Sequence, residues 1–251
     1  MEDHEFHEER ERLLARQTEL ATLAGGLAHE IRNPLSTIRM NLDLLCEDVE
    51  ELNDPRQRRM QNKLERIRGE CLHLEEILHA FLQFARAGEL EPQIDDLGCI
   101  VADFIEFYRP EAEKHGIEIS PHLSSSLPQV RIDRSLMRQV LMNLARNAQQ
   151  AMPDGGLIEV QTYTRDGRVY LEIIDTGPGM DASTRSKMFH AFHSTKPGGS
   201  GLGLPTVRKI IEAHGGTIDC ESDIGRGTRF ILALPVAEQP ATPEGAGHAG
   251  S

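Results

Sequence analysis

The feature that most constrains this chain is an apolar stripe running through its first third. From Leu20, the positions Leu20, Leu23, Leu27, Ile31, Leu35, Ile38, Leu42, Leu45, Val49 and Leu52 recur at spacings of three and four, the repeat that lines one face of a helix. Asn53, Asp54 and Pro55 end that pattern, and Met60, Leu64, Ile67, Cys71, Leu74, Leu78 and Phe81 carry a second one. Residues 9–88 therefore read as an antiparallel helical hairpin. Two helices hide only part of such stripes from each other. Either a second copy of the chain completes a four-helix bundle or the rest of the chain lies over the stripe. The length of the periodicity favours a homodimer.

Periodicity fades over AGELEPQIDDLG, which gains Pro, Gly and acids, so residues 89–96 read as a linker. Beyond it helices and strands alternate through residues 97–236. Helices are expected over 99–115, 135–152 and 205–214, with a short one after Asp181, and strands over 117–122, 129–132, 157–163, 169–175, 217–221 and 227–234. That order predicts an α+β chain: the hairpin, then an α/β sandwich of helices layered on one mixed sheet. The tail over 237–251, poor in bulky residues, is expected to be disordered.

Composition removes several functions. With 27 Lys+Arg against 40 Asp+Glu the chain carries a net charge of −13, and it has no Trp, three Tyr and eight Phe. It lacks both the basic footprint and the stacking platform of a general nucleic-acid binder. No apolar run approaches the ~20 residues that span a bilayer, and MEDHEFHEERERLL is charged where a secretory signal is greasy. A soluble, cytoplasmic protein is expected. Cys46, Cys71, Cys99 and Cys220 form no CxxC pair and the histidines form no HExxH, so neither a zinc site nor a metalloprotease is suggested.

Within the first helix stands LAHEIRNPL. Because Leu27 and Ile31 lie on the apolar stripe, His29 points about 200° around the helix from Leu27, towards solvent. Asn33 follows it by one turn on the same face, Glu30 is adjacent, and Pro34 is expected to bend the helix. An exposed imidazole beside a carboxylate and an amide suits a nucleophile, because a hydrogen bond to one ring nitrogen raises the basicity of the other. A merely solvated histidine fits the same triplet.

Three later segments offer the complementary chemistry. Asp175-Thr176-Gly177-Pro178-Gly179 ends a predicted strand. Its carboxylate suits the exocyclic amine of adenine and would repel the carbonyl oxygen of guanine. Gly198-Gly199-Ser200-Gly201-Leu202-Gly203-Leu204 runs into a helix expected to open with Pro205. Glycine amides feeding a helix N-terminus suit phosphate, with Ser194, Thr195 and Lys196 placed to meet its terminal group. Asn143 and Asn147 stand one turn apart, opposite Val140, Leu141, Leu144, Ala148 and Ala151. An amide oxygen from Asn147, helped by Asn143, suits a magnesium ion bridging nucleotide phosphates. Singly, these segments also read as an ordinary turn, a linker and two solvated asparagines.

Together they resemble the two-component sensor histidine kinases, over nearly the whole chain from about residue 15 to 235. LAHEIRNPL is similar to the family's phosphoacceptor box, NLARNAQQAM to its asparagine box, and DTGPGM to its first glycine box. FHAFHSTKPGGSGLGL is similar to its phenylalanine box running into its second glycine box. The wording HSTKPGGSGLGL and the Asn four residues after His29 look most like the nitrogen-regulation branch. The chain departs from the pattern at His190-Ala191, where the family often places Pro before the second Phe, here Phe192.

The resemblance implies a GHKL-type ATP-binding domain over 97–236 behind a dimerisation and phosphotransfer hairpin. It implies that His29 takes the γ-phosphoryl of ATP, that Glu30 is its acid/base partner, and that Asn33 orients water when the partner is dephosphorylated. Asn147 and Asn143 would hold Mg²⁺, and Asp175 would read adenine. Gly177, Gly179, Thr195, Lys196, Gly199, Ser200, Gly201, Leu202, Gly203 and Leu204 would form the ATP pocket and lid. The phosphoryl group would pass to an aspartate of a response-regulator receiver domain. Fewer than thirty residues precede His29, so the signal is expected from a separate sensor protein, or the chain is a fragment. A plain ATPase of the gyrase and Hsp90 type shares the pocket but lacks the HExxN hairpin. A silent dimeric scaffold that binds ATP is the third alternative.

Overall fold

The computed structural model describes residues 31, 35–45, 55–196 and 199–237. His29, Glu30, Asn33, Pro34 and the tail beyond residue 237 lie outside the described residues, and so do the expectations placed on them.

The hairpin is formed by α1 (residues 35–45) and α2 (Pro55–Arg86). Leu35 and Leu42 pack with Leu64 and Cys71. Arg39 donates to Glu75 at 3.0 Å, and Asp43 faces Arg68 at 3.7 Å. Partners descend along α2 as they ascend along α1, so the helices are antiparallel. Each stripe resolves into two seams with a seven-residue step. Leu35 and Leu42, with Leu64, Cys71 and Leu78, are buried. Ile31, Ile38 and Leu45, with Met60, Ile67 and Leu74, are not: Ile38 is 45% and Leu74 50% exposed. The following domain does not cover this second seam, and a heptad seam open along both helices is the surface coiled-coil packing requires.

Beyond the hairpin come β1 (Gln93–Asp95), α3 (Leu97–Lys114), β2 (Ile117–Leu123), β3 (Val130–Ile132), α4 (Arg134–Ala151), β4 (Gly156–Arg165) and β5 (Arg168–Asp175). They are followed by α5 (Ala182–Lys187), α6 (Gly203–Ala213), β6 (Thr217–Ser222) and β7 (Thr228–Pro235). Five strands form one sheet in the order β2-β4-β5-β7-β6. β2 runs parallel to β4 and every other pair is antiparallel, so the sheet is mixed. Residues of α3, α4 and α6, including Phe104, Leu141, Leu144 and Ile210, share one core with Ile158, Leu171, Ile173 and Phe230 from the strands. Alternation along β5 puts Val169, Leu171 and Ile173 into that core and Tyr170 on the far face. The expected α+β architecture is therefore present.

Aspartates set the starts of three helices. The Asp96 carboxylate accepts from the amides of Gly98 and Cys99, Asp133 from Ser135 and Leu136, and Asp181 from Thr184. Such caps satisfy amides that the first turn leaves free. Leu202, at the start of α6, makes no side-chain cap bond.

Three expectations are corrected. The strand read over 129–132 does not join the main sheet; β3 pairs antiparallel with β1 in a separate two-stranded ribbon. Gln93–Asp95, inside the stretch read as a linker, is therefore strand, and Arg134 fixes Asp95 at 3.0 Å. Helix α6 begins at Gly203, two residues before Pro205. Proline is tolerated there because the first four helical amides have no intrahelical acceptor to lose.

Cys71, Cys99 and Cys220 are free thiols. Burial pushes Cys220 up to about 12, which fits a packing residue. Among the described residues no helix is long and apolar enough to cross a membrane.

Candidate active site

Helix α4 turns an apolar side inwards and an amide side outwards. Val140, Leu141, Leu144 and Ala148 are buried, which leaves Asn143 and Asn147 half-buried on the opposite face. Asn143 Nδ2 donates to the carbonyl of Gly203 at 3.5 Å, a long bond that ties α4 to the start of α6.

Asp175 closes β5 and is only 4% exposed. Its Oδ1 accepts from the Gly177 amide at 2.9 Å. Burial pushes its pKa up, while backbone N–H groups of Gly177 and Thr228 and the charge of Lys196 pull the other way. Thr228 stands directly across the ladder from Asp175. Gly177 does not line the cleft that its neighbours border; it serves the site by holding the carboxylate. Gly179 has φ +70° and a side chain there would overlap the Asp223 carbonyl, so this turn accepts only glycine.

The loop between α5 and α6 supplies the remaining wall. Phe192 adopts φ 63°, next to Gly201 at φ +66°. A Cβ on Gly201 would lie 2.6 Å from the backbone of Phe192 and His193. The two strands of the loop thus lie against each other, joined by a bond from the Phe192 amide to the Gly201 carbonyl. Lys196 Nζ donates to Asn147 Oδ1 at 2.8 Å, to the Asn147 carbonyl at 3.2 Å and to Gln150 Oε1 at 3.2 Å. Burial lowers the Lys196 pKa, and the Asp175 carboxylate works in the opposite direction.

These elements border one open cleft of about 1540 Å³, larger than the roughly 300–1,000 Å³ of an ordinary ligand pocket. One wall brings together Asn143, Asn147, Asp175, Gly179, Thr195, Lys196, Gly199, Ser200, Gly201, Leu202, Gly203 and Leu204. The opposite wall comes from the hairpin, with Ser36 and Arg39 of α1 and His73, Glu76 and His79 of α2. Helix α6 starts at Gly203 without a side-chain cap, and Gly203 and Lys196 both line this space, where the positive end of a helix and an ammonium favour an anion. Arg146, Gln150 and Thr228 also line it. The first two lie inside the asparagine segment, and helical spacing signals them; Thr228 reaches Asp175 only through strand register, which no local pattern carries.

Two family models match the chain. The His Kinase A (phospho-acceptor) domain matches residues 19–90, and the "Histidine kinase-, DNA gyrase B-, and HSP90-like ATPase" matches residues 132–238. The sensor histidine kinase ZraS of Klebsiella oxytoca is 34% identical over 227 residues, covering 90% of this chain and 48% of that protein. The signal transduction histidine-protein kinase AtoS of Escherichia coli (strain K12) is 33% identical over 235 residues, 92% of this chain and 38% of its own length. The chain thus spans about half the length, or less, of these curated relatives. Among solved structures, full-length ShkA in complex with AMPPNP superposes with a TM-score of 0.69 at 31% identity, covering 88% of this chain and 47% of that one. The histidine kinase ThkA in complex with the response regulator protein TrrA gives 0.64 at 28% identity, covering 94% and 67%. With a phospho-acceptor match over residues 19–90 ahead of a histidine kinase-type ATPase match over residues 132–238, the chain belongs to the two-component histidine kinases.

Proposed function

We propose that the chain is an ATP-dependent protein-histidine kinase that phosphorylates His29 and passes the phosphoryl group to an aspartate of a response regulator, whose phosphatase it also is. One observation carries this reading: Asp175, Asn147, Lys196 and the open N-terminus of α6 line the same cleft as the two helices of the phosphotransfer hairpin. The name of the ThkA complex supports a response regulator as partner. The phospho-acceptor match over residues 19–90 favours a kinase over a plain ATPase or a scaffold.

The roles follow from the chemistry of each group. The Asp175 carboxylate accepts from the adenine amine. Lys196 and the free amides at Gly203 neutralise the phosphates, and the turns at Gly177, Gly179, Gly199, Gly201 and Gly203, with Thr195, Ser200, Leu202 and Leu204, shape the pocket and lid. Phosphoryl transfer has a loose transition state, so the protein contributes positioning and charge neutralisation. His29 is the nucleophile, Glu30 relieves it of its proton, and Asn33 orients water in the phosphatase reaction.

Magnesium fits the donor set. Asn147 Oδ1 and Gln150 Oε1 are neutral oxygens that already share a cation, the Lys196 ammonium, and hard oxygens are what Mg²⁺ prefers. Asn147 would hold it, with Asn143 behind as the strut to Gly203, and the ion would supply charge to the phosphates. The open seam of Ile38 and Leu74 supports a homodimer. The lettering of the second glycine segment supports the nitrogen-regulation branch, and the acidic composition supports a cytoplasmic location.

Incubation with γ-labelled ATP tests the proposal. Acid-labile, alkali-stable label is expected on the wild type and lost in His29→Gln, which still binds nucleotide. Label that survives acid, or that remains in His29→Gln, overturns it.

A further inference from the structure

Helix α2 ends at Arg86, and the last carbonyls of any helix have no intrahelical donor. Here two of them are met from another domain. Lys209 of α6 donates through Nζ to the carbonyl of Phe84 at 3.1 Å and to that of Ala85 at 3.0 Å. The same ammonium lies 5.2 Å from the centre of the Phe84 ring, within cation–π range. A cation at the negative end of the helix macrodipole is favourable, and more so when partly removed from water. Burial lowers the Lys209 pKa, with Glu89 opposing.

The chain immediately after α2 is fixed as well. Ala87 is 0% exposed and belongs to the core of the nucleotide domain. The Glu91 amide donates to Asp133 at 3.1 Å, and Gln93–Asp95 pairs with β3. Lys209 follows Gly203 by six residues on one helix, about 9 Å along its axis. A single rigid element therefore runs from the nucleotide cleft to the end of the hairpin.

We infer that Lys209 is a positioning residue for phosphotransfer: by capping α2 it fixes the angle at which the nucleotide domain faces the hairpin, without touching nucleotide. The inference rests on the kinase reading and deepens it. The captured arrangement sets the nucleotide wall across the cleft from Ser36 and Arg39 of α1, the helix segment that comes after His29 in sequence. Losing the cap lets the domain sample orientations that point elsewhere.

The test compares full-length wild type, Lys209→Met and Lys209→Arg. Methionine keeps the apolar stem and removes the donor and the charge. Lys209→Met is expected to lower kcat of autophosphorylation about tenfold, the scale that a partly buried cation at a helix C-terminus provides, while the Kd for ATP stays unchanged. Lys209→Arg, which retains a cationic donor, stays within about twofold of wild type. Amide hydrogen exchange adds a readout independent of activity. The segment over residues 84–91 should exchange faster in Lys209→Met, and the strands β4, β5 and β7 should not. An unchanged kcat with unchanged exchange at 84–91, or a parallel loss of ATP affinity, overturns the inference. A wild type that forms no phosphohistidine refutes the kinase reading instead, and the exchange result then still decides whether Lys209 holds the two domains.

Discussion

Replacing Asp175 by asparagine changes one oxygen to an amide nitrogen and keeps the size and shape of the side chain. The side chain is 4% exposed and its Oδ1 is already committed to the Gly177 amide at 2.9 Å. In Asp175→Asn the amide oxygen keeps that bond, so the NH₂ group takes the place of the second carboxylate oxygen. An exocyclic amine of adenine then meets a donor where it needs an acceptor. Leaving a buried donor unsatisfied costs about 1–3 kcal/mol, so ATP affinity should fall by between about fivefold and somewhat over a hundredfold. The carbonyl oxygen of guanine gains a donor at the same spot, so GTP should weaken less or improve. Calorimetry with non-hydrolysable ATP and GTP analogues reads both. An unchanged ratio of ATP to GTP affinity would refute the assignment of Asp175 to the base.

The same carboxylate predicts a pH dependence whose sign is fixed by linkage. Burial raises the folded pKa of Asp175 above its unfolded value. Between those two values the native state holds more protons than the unfolded chain, so stability is fully present below the unfolded pKa and is lost as pH rises through the folded one. Without nucleotide, wild type should therefore lose stability relative to Asp175→Asn as pH is raised above the ordinary aspartate value of about 4. Affinity for ATP should move the opposite way, weakening as the carboxylate is protonated. Urea titrations at several pH values read the first effect, and a pH-independent difference between the two proteins contradicts the burial argument.

Ile38→Lys places a charge on the open seam of the hairpin, so sedimentation should show the dimer dissociating while ATP binding persists; a dimer of undiminished stability would mean that the seam is not the contact. Asn33→Ala should spare autophosphorylation and slow dephosphorylation of the partner regulator, because water rather than nucleotide is what that amide is proposed to orient. Equal loss in both assays would remove its separate role.

Legibility in the sequence depends on the range over which each signal acts. Helix α4, with Asn143 and Asn147 opposite Leu141 and Leu144, is written within two turns, and periodicity finds it. The aspartate caps at Asp96, Asp133 and Asp181 act over two or three residues and coincide with the expected starts of their helices to within a few positions. Strand identity along β5 is equally local, yet the environment of Glu172 is not. Alternation puts it on the face away from the core, where a carboxylate normally meets water, but it is 1% exposed under a bidentate Arg229 and the Tyr163 hydroxyl. Both partners come from neighbouring strands, 57 and nine residues away in sequence.

Sequence range also explains why residues 93–95 read as linker, with a consequence for catalysis. Gln93–Asp95 has no strand signal of its own. It becomes a strand because Val130–Ile132 offers a free edge and Arg134 holds Asp95, a juxtaposition of residues about forty positions apart. A sequence poor in periodicity reads as flexible, but here the chain from Phe84 to Asp95 is held by Lys209, by the burial of Ala87, by Asp133 and by β3. Lys209 ties the nucleotide domain to carbonyls on the hairpin side of residues 88–90, so a swing about those residues must stretch or release the cap, and the proposed transfer to His29 uses only the small rotations that leave it intact. Residues 88–90 make few such contacts, with the Glu89 amide bonded only to the nearby Arg86 carbonyl. A hinge this short permits rotation about one axis far more readily than free diffusion of the domain, so the direction of approach to the phosphoacceptor is set by the fold before nucleotide arrives.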